Sequence, residues 1–319
     1  MLKKRLLYGL IFILTILLFS LVFLNRNKKL GPGEPLQAVP FDASVIMKIN
    51  NFEALLKKFY LESGIWHELK SIPSYQRIDY QMRFLDSVLL SISEVRQLLT
   101  SSPSYMSLHY TGKDKIGLLY LFEIPNHLSE RKIHTLISHF VAKNGTITER
   151  NYDGKKIFDV RLLDESKLRN FSFAVAKNIF MLSFSSLLLE DAMRQIEDDY
   201  SVAGQQGFKD VFLTAGKNVD ANIFLNFKNL PKSFSVGFKN EYKAEIRSFT
   251  TFADWGELDV NIMSDVLLLN GFIMSPDSDY NAVSVFNHQT PQKITADELL
   301  PSSVASCLVL SVSAHPRLR

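Results

Sequence analysis

Cysteine is nearly absent from this 319-residue chain: Cys307 stands alone. One cysteine excludes an intramolecular disulfide and any cysteine-based zinc site, and with them the small disulfide-stapled secreted domain. The motif inventory is equally sparse. No phosphate-binding Walker loop, G-x-G-x-x-G fingerprint, G-x-S-x-G elbow or His-Glu-x-x-His pair occurs. These absences remove the readings those motifs carry: nucleotide and dinucleotide binding, α/β-hydrolase chemistry and zinc proteolysis. EF-hand spacing is missing, as is any repeat period of a solenoid. Beyond the N-terminus no long basic run exists. Six of the 36 Lys and Arg fall in residues 1–29, where there are no acids, leaving 30 basic against 33 acidic residues in the remainder. A mildly acidic body excludes nucleic acid as the expected partner.

What the chain does hold begins with "MLKKRLLYGLIFILTILLFSLVFLNRNKK". Leu6 to Leu24 carry no charge and are flanked by basic residues. As a helix they would extend about 29 Å, one hydrocarbon core. The exit "LVFLNRN" lacks the small-x-small pattern of a cleavage site, so residues 1–29 read as an uncleaved signal-anchor. Three basic side chains lie on each side, and the short head with its α-amino group places the N-terminus in the cytoplasm and the body outside. The Gly- and Pro-containing stretch 30–40 reads as a linker.

The body, 46% hydrophobic over the whole chain with 24 phenylalanines, has ample material for a core. "SVIMKIN" reads as a strand followed by a helix capped by Asn51. Residues 61–101 read as mostly helical. "YMSLHYT" and "IGLLYLFEI" read as paired strands, and Ser129 caps a helix after them. Asp153-Gly154 and Lys177-Asn178 mark tight hairpins. In "SLLLEDAMRQIED", Leu189, Met193 and Ile196 form an inward stripe. "DANIFLNF" is a strand, "FKNEYKAEIRSF" an exposed helix, and two further strands follow. Short turns between neighbouring strands imply antiparallel pairing. The expected fold class is α+β: antiparallel sheets built from hairpins, helices packed on one face, and one N-terminal transmembrane helix. The expected division is 1–29 anchor, 30–40 linker, 41–200 a first α+β unit, 201–299 a second, and 300–319 the start of a truncated repeat. The last rests on "LLPSSVASCLVLSV", which echoes "AVPFDASVIMKINN" near the start.

No catalytic, cofactor-binding or metal-binding residue is expected. His134 and His139 are five apart on one helix, about 140° round its axis, so they do not share a metal easily. Glu197, Asp198 and Asp199 read as a solvated helix end, and Trp66 as an aromatic anchor. "ADWGELDV" (253–260) crowds Asp254, Glu257 and Asp259 round Trp255. Read as a strand, it turns Glu257 and Asp259 to an outward polar face and Leu258 and Val260 inward. A turn near Ser264-Asp265 then sets Asp259 opposite Asn270, Leu258 near Gly271 and Glu257 opposite Phe272.

"VPFDASVIMKINNFEALLKKF", "FSFAVAKNIFMLSFSSLLLEDAMRQI", "VDANIFLNFKNLP" and "FADWGELDVNIMSDVLLLNGF", in that order after the anchor, resemble an uncharacterised bacterial family of membrane-anchored envelope proteins, a domain of unknown function. The resemblance implies an extracytoplasmic α+β module, often in longer chains, and carries over no catalytic residue. The expectation is a non-enzymatic binding or scaffolding module of the bacterial inner membrane, held through residues 6–24. Its partner would be an envelope protein or surface polymer, with no cofactor. The alternatives are a domain for an apolar ligand such as lipid, and an envelope hydrolase.

Overall fold

The computed structural model describes residues 34–62, 102–112, 115–162, 170–198, 201–264, 266–275 and 281–287, with scattered positions between 64 and 100 and between 289 and 313. Ten strands are present among the described residues: β1 Val45–Ile49, β2 Ser104–Gly112, β3 Lys115–Glu123, β4 Gly145–Tyr152, β5 Lys155–Leu162, β6 Asn170–Ala176, β7 Ile179–Ser183, β8 Ala221–Asn226, β9 Trp255–Ile262 and β10 Leu267–Met274. They form one antiparallel sheet in the order β10-β9-β8-β1-β2-β3-β7-β6-β5-β4. Two of its turns follow from local chemistry. Asp153 and Gly154 (φ 49° and 76°), and Lys177 and Asn178 (φ 44° and 66°), take the left-handed conformation that a two-residue hairpin loop needs.

Among the described residues, six α-helices accompany the sheet: α1 Phe52–Lys57, α2 Glu130–Asn144, α3 Ser186–Glu197, α4 Gln206–Thr214, α5 Leu230–Phe234 and α6 Asn240–Ser248. Asn51 caps α1 by accepting from the Ala54 N–H at 2.9 Å, and Ser129 caps α2 by accepting from the Lys132 N–H at 3.2 Å. α1 and α2 cover one face, sending Phe52, Leu55, Ile133, Ile137 and Val141 into a core with Tyr120, Phe122, Phe158 and Phe173. α3 and α4 cover the other, where Leu189, Met193, Ile196, Phe208 and Val211 meet Ile46, Leu121, Phe224 and Trp255. No side chain of α6 is buried.

Two parts of the expected fold class are corrected. The hairpins join into a single sheet, and helices pack on both of its faces. The cause is visible in β6 and β7, where consecutive residues rather than alternate ones are buried (Phe171 to Ala174, and all of Ile179–Ser183), so either face is apolar and needs cover. Second, no helix among the described residues is long and apolar enough to cross a membrane. The expected span and most of the helical stretch 61–101, with Trp66, lie outside the described residues.

The β1–β8 pair has a local two-fold relation. Val45 pairs with Leu225, Ile46 with Phe224 and Met47 with Ile223. A half-turn about the Ile46–Phe224 pair therefore superposes β1 on β8. It aligns Asp42-Ala43-Ser44-Val45-Ile46-Met47 with Asp220-Ala221-Asn222-Ile223-Phe224-Leu225. The relation extends outward, since Ile46 pairs with Ser107 as Phe224 pairs with Glu257, and Lys48 with Tyr105 as Asn226 with Trp255. β2 thus corresponds to β9 and β3 to β10. This correspondence joins residues on either side of position 200 in one sheet.

Candidate functional site

Polar groups on the α3/α4 face gather at two places that the two-fold relation exchanges. The first is on β2. His109 is buried, with Nδ1 3.0 Å from Asp42 Oδ1 and Nε2 2.8 Å from Ser107 Oγ. Burial pushes the Asp42 carboxyl up, but the hydrogen bond and charge of His109 outweigh it and hold the group below its ordinary value. Serine, imidazole and carboxylate in this order have the connectivity of a nucleophilic triad. Ser107 itself is wholly enclosed (0% exposed), so no substrate carbonyl reaches its hydroxyl from solvent. Beside it, Ser44 Oγ lies 2.6 Å from Ser233 Oγ and donates to the Asn229 carbonyl at 3.1 Å, tying α5 to β1. None of these residues carried a motif. Only strand pairing brings Asp42 across from His109.

The second place is the stretch 253–260. Its register with β10 is the expected one: Glu257 faces Phe272, Leu258 faces Gly271 and Asp259 faces Asn270. Its polar face, however, is not an outward one. Glu257 is 0% exposed and Trp255 2%. Trp255 packs edge-on against Phe208 of α4, with ring centroids 5.2 Å apart. Phe224 stands opposite Glu257 on the β8 side. α4 and the turn after it close over this face, and the backbone N–H of Gly216 donates to Asp259 Oδ1 at 2.7 Å. Asn222 on β8 donates to the same Asp259 oxygen at 2.7 Å and reaches Glu257 Oε1 at 3.5 Å. The fit is tight, since a Cβ on Gly216 would lie 2.5 Å from Asp259 Oδ2.

Two carboxyl groups two residues apart on one strand repel when both are charged. Burial raises the Glu257 carboxyl to about 7, the hydrogen bond and charge of Asp259 add to that rise, and Asn222 partly opposes it. Glu257 Oε2 meets neither donor nor acceptor among the described residues. In the same row of the sheet, Lys48 pairs with Asn222, and Asn222 with Asp259. The Lys48 ammonium lies 5.5 Å over the Phe212 ring. Burial lowers its pKa, Glu34 opposes that and Lys217 adds to it. Paired carboxyls do acid–base work when substrate has room between them and their environments differ. Here the environments differ: Glu257 is closed in beside Phe224, Trp255 and Asn222, while Asp259 is half-buried. The arrangement favours a neutral Glu257 beside a charged Asp259.

The remaining candidates stay apart. His134 is half-buried, with its ring 4.3 Å from that of Phe158, while His139 is exposed on the same helix. Glu197 pairs with Lys155 across the α3 terminus, and Asp199 lies outside the described residues. No three His, Cys, Asp or Glu among the described residues group as metal ligands.

The apolar feature missed in the sequence adjoins the carboxyl pair. β10 is the last strand of the sheet, and Leu268, Leu269, Phe272 and Ile273 are 40–59% exposed. Leu268 and Phe272 point to one face, Leu269 and Ile273 to the other.

No family model matches the chain, and no curated protein matches it. A solved structure described as "Structure of crystal form I of TP0453" aligns with 82% of this chain and 88% of its own, at 10% identity and a TM-score of 0.39. That likeness is too loose to carry an inference about function.

Proposed function

We propose that this protein is a non-enzymatic binding module of the bacterial envelope that recognises a protein partner by strand addition at β10. The observation that carries the reading is an edge strand with apolar side chains exposed on both faces and no partner strand among the described residues. Isolated exposed apolar residues are ordinary; a continuous row on an open sheet edge is a template for another strand. The opposite edge offers a comparison within the molecule. β4 carries Thr146, Thr148, Glu149 and Arg150, with Glu149 paired to Lys156 at 2.8 Å and Arg150 to Asp159 at 2.7 Å. Such charges protect an edge from pairing, and β10 has none. The envelope location rests on the uncharged run Leu6–Leu24 between basic ends, and on the family resemblance of the body. The enclosed Glu257 and the enclosed Ser107 favour binding over catalysis.

The test is amide exchange on the full chain with a lysine-tailed peptide copy of residues 266–274. Bound peptide should protect the outward-facing amides of β10 and leave those of β4 unchanged. Unchanged exchange in β10 at saturating peptide, with the chain diluted to a single-copy species, would remove the reading.

A further inference from the structure

The backbone polarity of β10 specifies how a strand can join it. The Met263 N–H donates to the Val266 carbonyl at 2.9 Å, so Val266 turns its polar groups toward β9. By strand alternation so do Leu268, Asn270 and Phe272, while Leu267, Leu269, Gly271 and Ile273 turn theirs outward. At the corresponding edge on the other side of the two-fold relation, β3 is already occupied. Leu119 pairs with Ser183, Tyr120 with Leu182 and Leu121 with Met181 of the antiparallel strand β7. The matching residues of β10, Phe272, Ile273 and Met274, have no such neighbour among the described residues.

Resting on the strand-addition reading, we infer that the occupant of this edge is a second copy of the chain, joined β10 to β10 antiparallel about a two-fold axis at Asn270. Three observations select this occupant. Residues 266–274, "VLLLNGFIM", contain no charge, so self-pairing opposes no like charges. Centred on Asn270, the segment is self-complementary: Leu268 meets Phe272 of the second copy on one face, and Leu267 meets Ile273 on the other. The outward-turned groups of Leu269 then bond those of Gly271, which is the hydrogen-bonded pairing the backbone polarity requires. The charged edge at β4 is protected, so association closes at two copies rather than extending into a filament.

A covalent trap reads this register. In this pairing Asn270 faces its own copy at a non-hydrogen-bonded position, where Cα atoms lie about 4.5 Å apart, within disulfide range. Full-length chain carrying Asn270→Cys and Cys307→Ser should form a disulfide dimer on mild oxidation in membranes. Adding Leu269→Lys should reduce its yield at least tenfold, and Lys239→Cys on the exposed start of α6 should not crosslink. A single-copy species in sedimentation at every concentration, with no crosslink in the Asn270→Cys chain but with β10 still protected by peptide, would overturn the second copy and leave strand addition standing. Loss of both crosslink and peptide protection would overturn both.

Discussion

Asn222 donates its side-chain amide to Asp259 across the β8–β9 ladder at 2.7 Å, and the same nitrogen lies 3.5 Å from Glu257. One neutral donor thus serves two carboxyl groups, one buried and one half-buried. Asp259 has a second donor in the Gly216 N–H, whereas Glu257 is buried with only the Asn222 amide, at 3.5 Å, near it.

The first prediction follows from that asymmetry. Glu257 has a folded-state pKa of about 7 against an ordinary value of 4.5. Below pH 4.5 it is protonated in both states and contributes no pH dependence. Between the two values the unfolded chain ionises and the folded one does not, so stability falls as pH rises and levels off above 7. Glu257→Gln keeps a neutral side chain there. The variant should gain on the wild type between pH 5 and pH 8, by on the order of 3 kcal/mol at the upper end. Urea unfolding at both pH values measures the difference, and a constant offset would contradict it.

Gly271 allows β10 to lie against β9. A Cβ there would stand 1.7 Å from the Glu257 carbonyl oxygen, a backbone atom that cannot step aside. Gly271→Ala should cost roughly 1–3 kcal/mol in denaturant unfolding and raise amide exchange in β10 before that in β2 and β3.

His109 satisfies Ser107 and Asp42 together. Replacing it with Phe leaves the enclosed Ser107 hydroxyl without that partner, at a cost of roughly 1–3 kcal/mol. Adding Ser107→Ala should recover part of the loss. A fluorophosphonate probe should leave Ser107 unlabelled in the native protein; labelling would revive the hydrolase reading.

Five phenylalanines link the α1/α2 core in series: Phe52 to Phe122 at 5.9 Å, Phe122 to Phe180 at 6.1 Å, Phe180 to Phe173 at 5.9 Å, and Phe173 to Phe158 at 5.0 Å. Phe173→Ala breaks this row and should destabilise the fold by about 3–5 kcal/mol. Phe272→Ala, on the exposed edge, should change stability far less in the same assay.

The tight turns at Asp153-Gly154 and Lys177-Asn178, the caps at Asn51 and Ser129, and the pairing of Glu257 with Phe272 were all legible in the sequence. Each depends on residues close in the chain, where turn geometry and the two-residue period of a strand leave few alternatives. That period also separates Glu257 and Asp259 from Leu258 and Val260. It does not say which side meets water. Gly216 arrives from 43 residues away to bond Asp259, and Asn222 from 35 residues away to reach Glu257. The Ile46–Phe224 pair, with its two-fold relation, is likewise a long-range contact. Local chemistry set the strands and their alternation; only packing decided that both faces are covered, that Glu257 lies inside, and that β10 is the edge without a partner strand among the described residues.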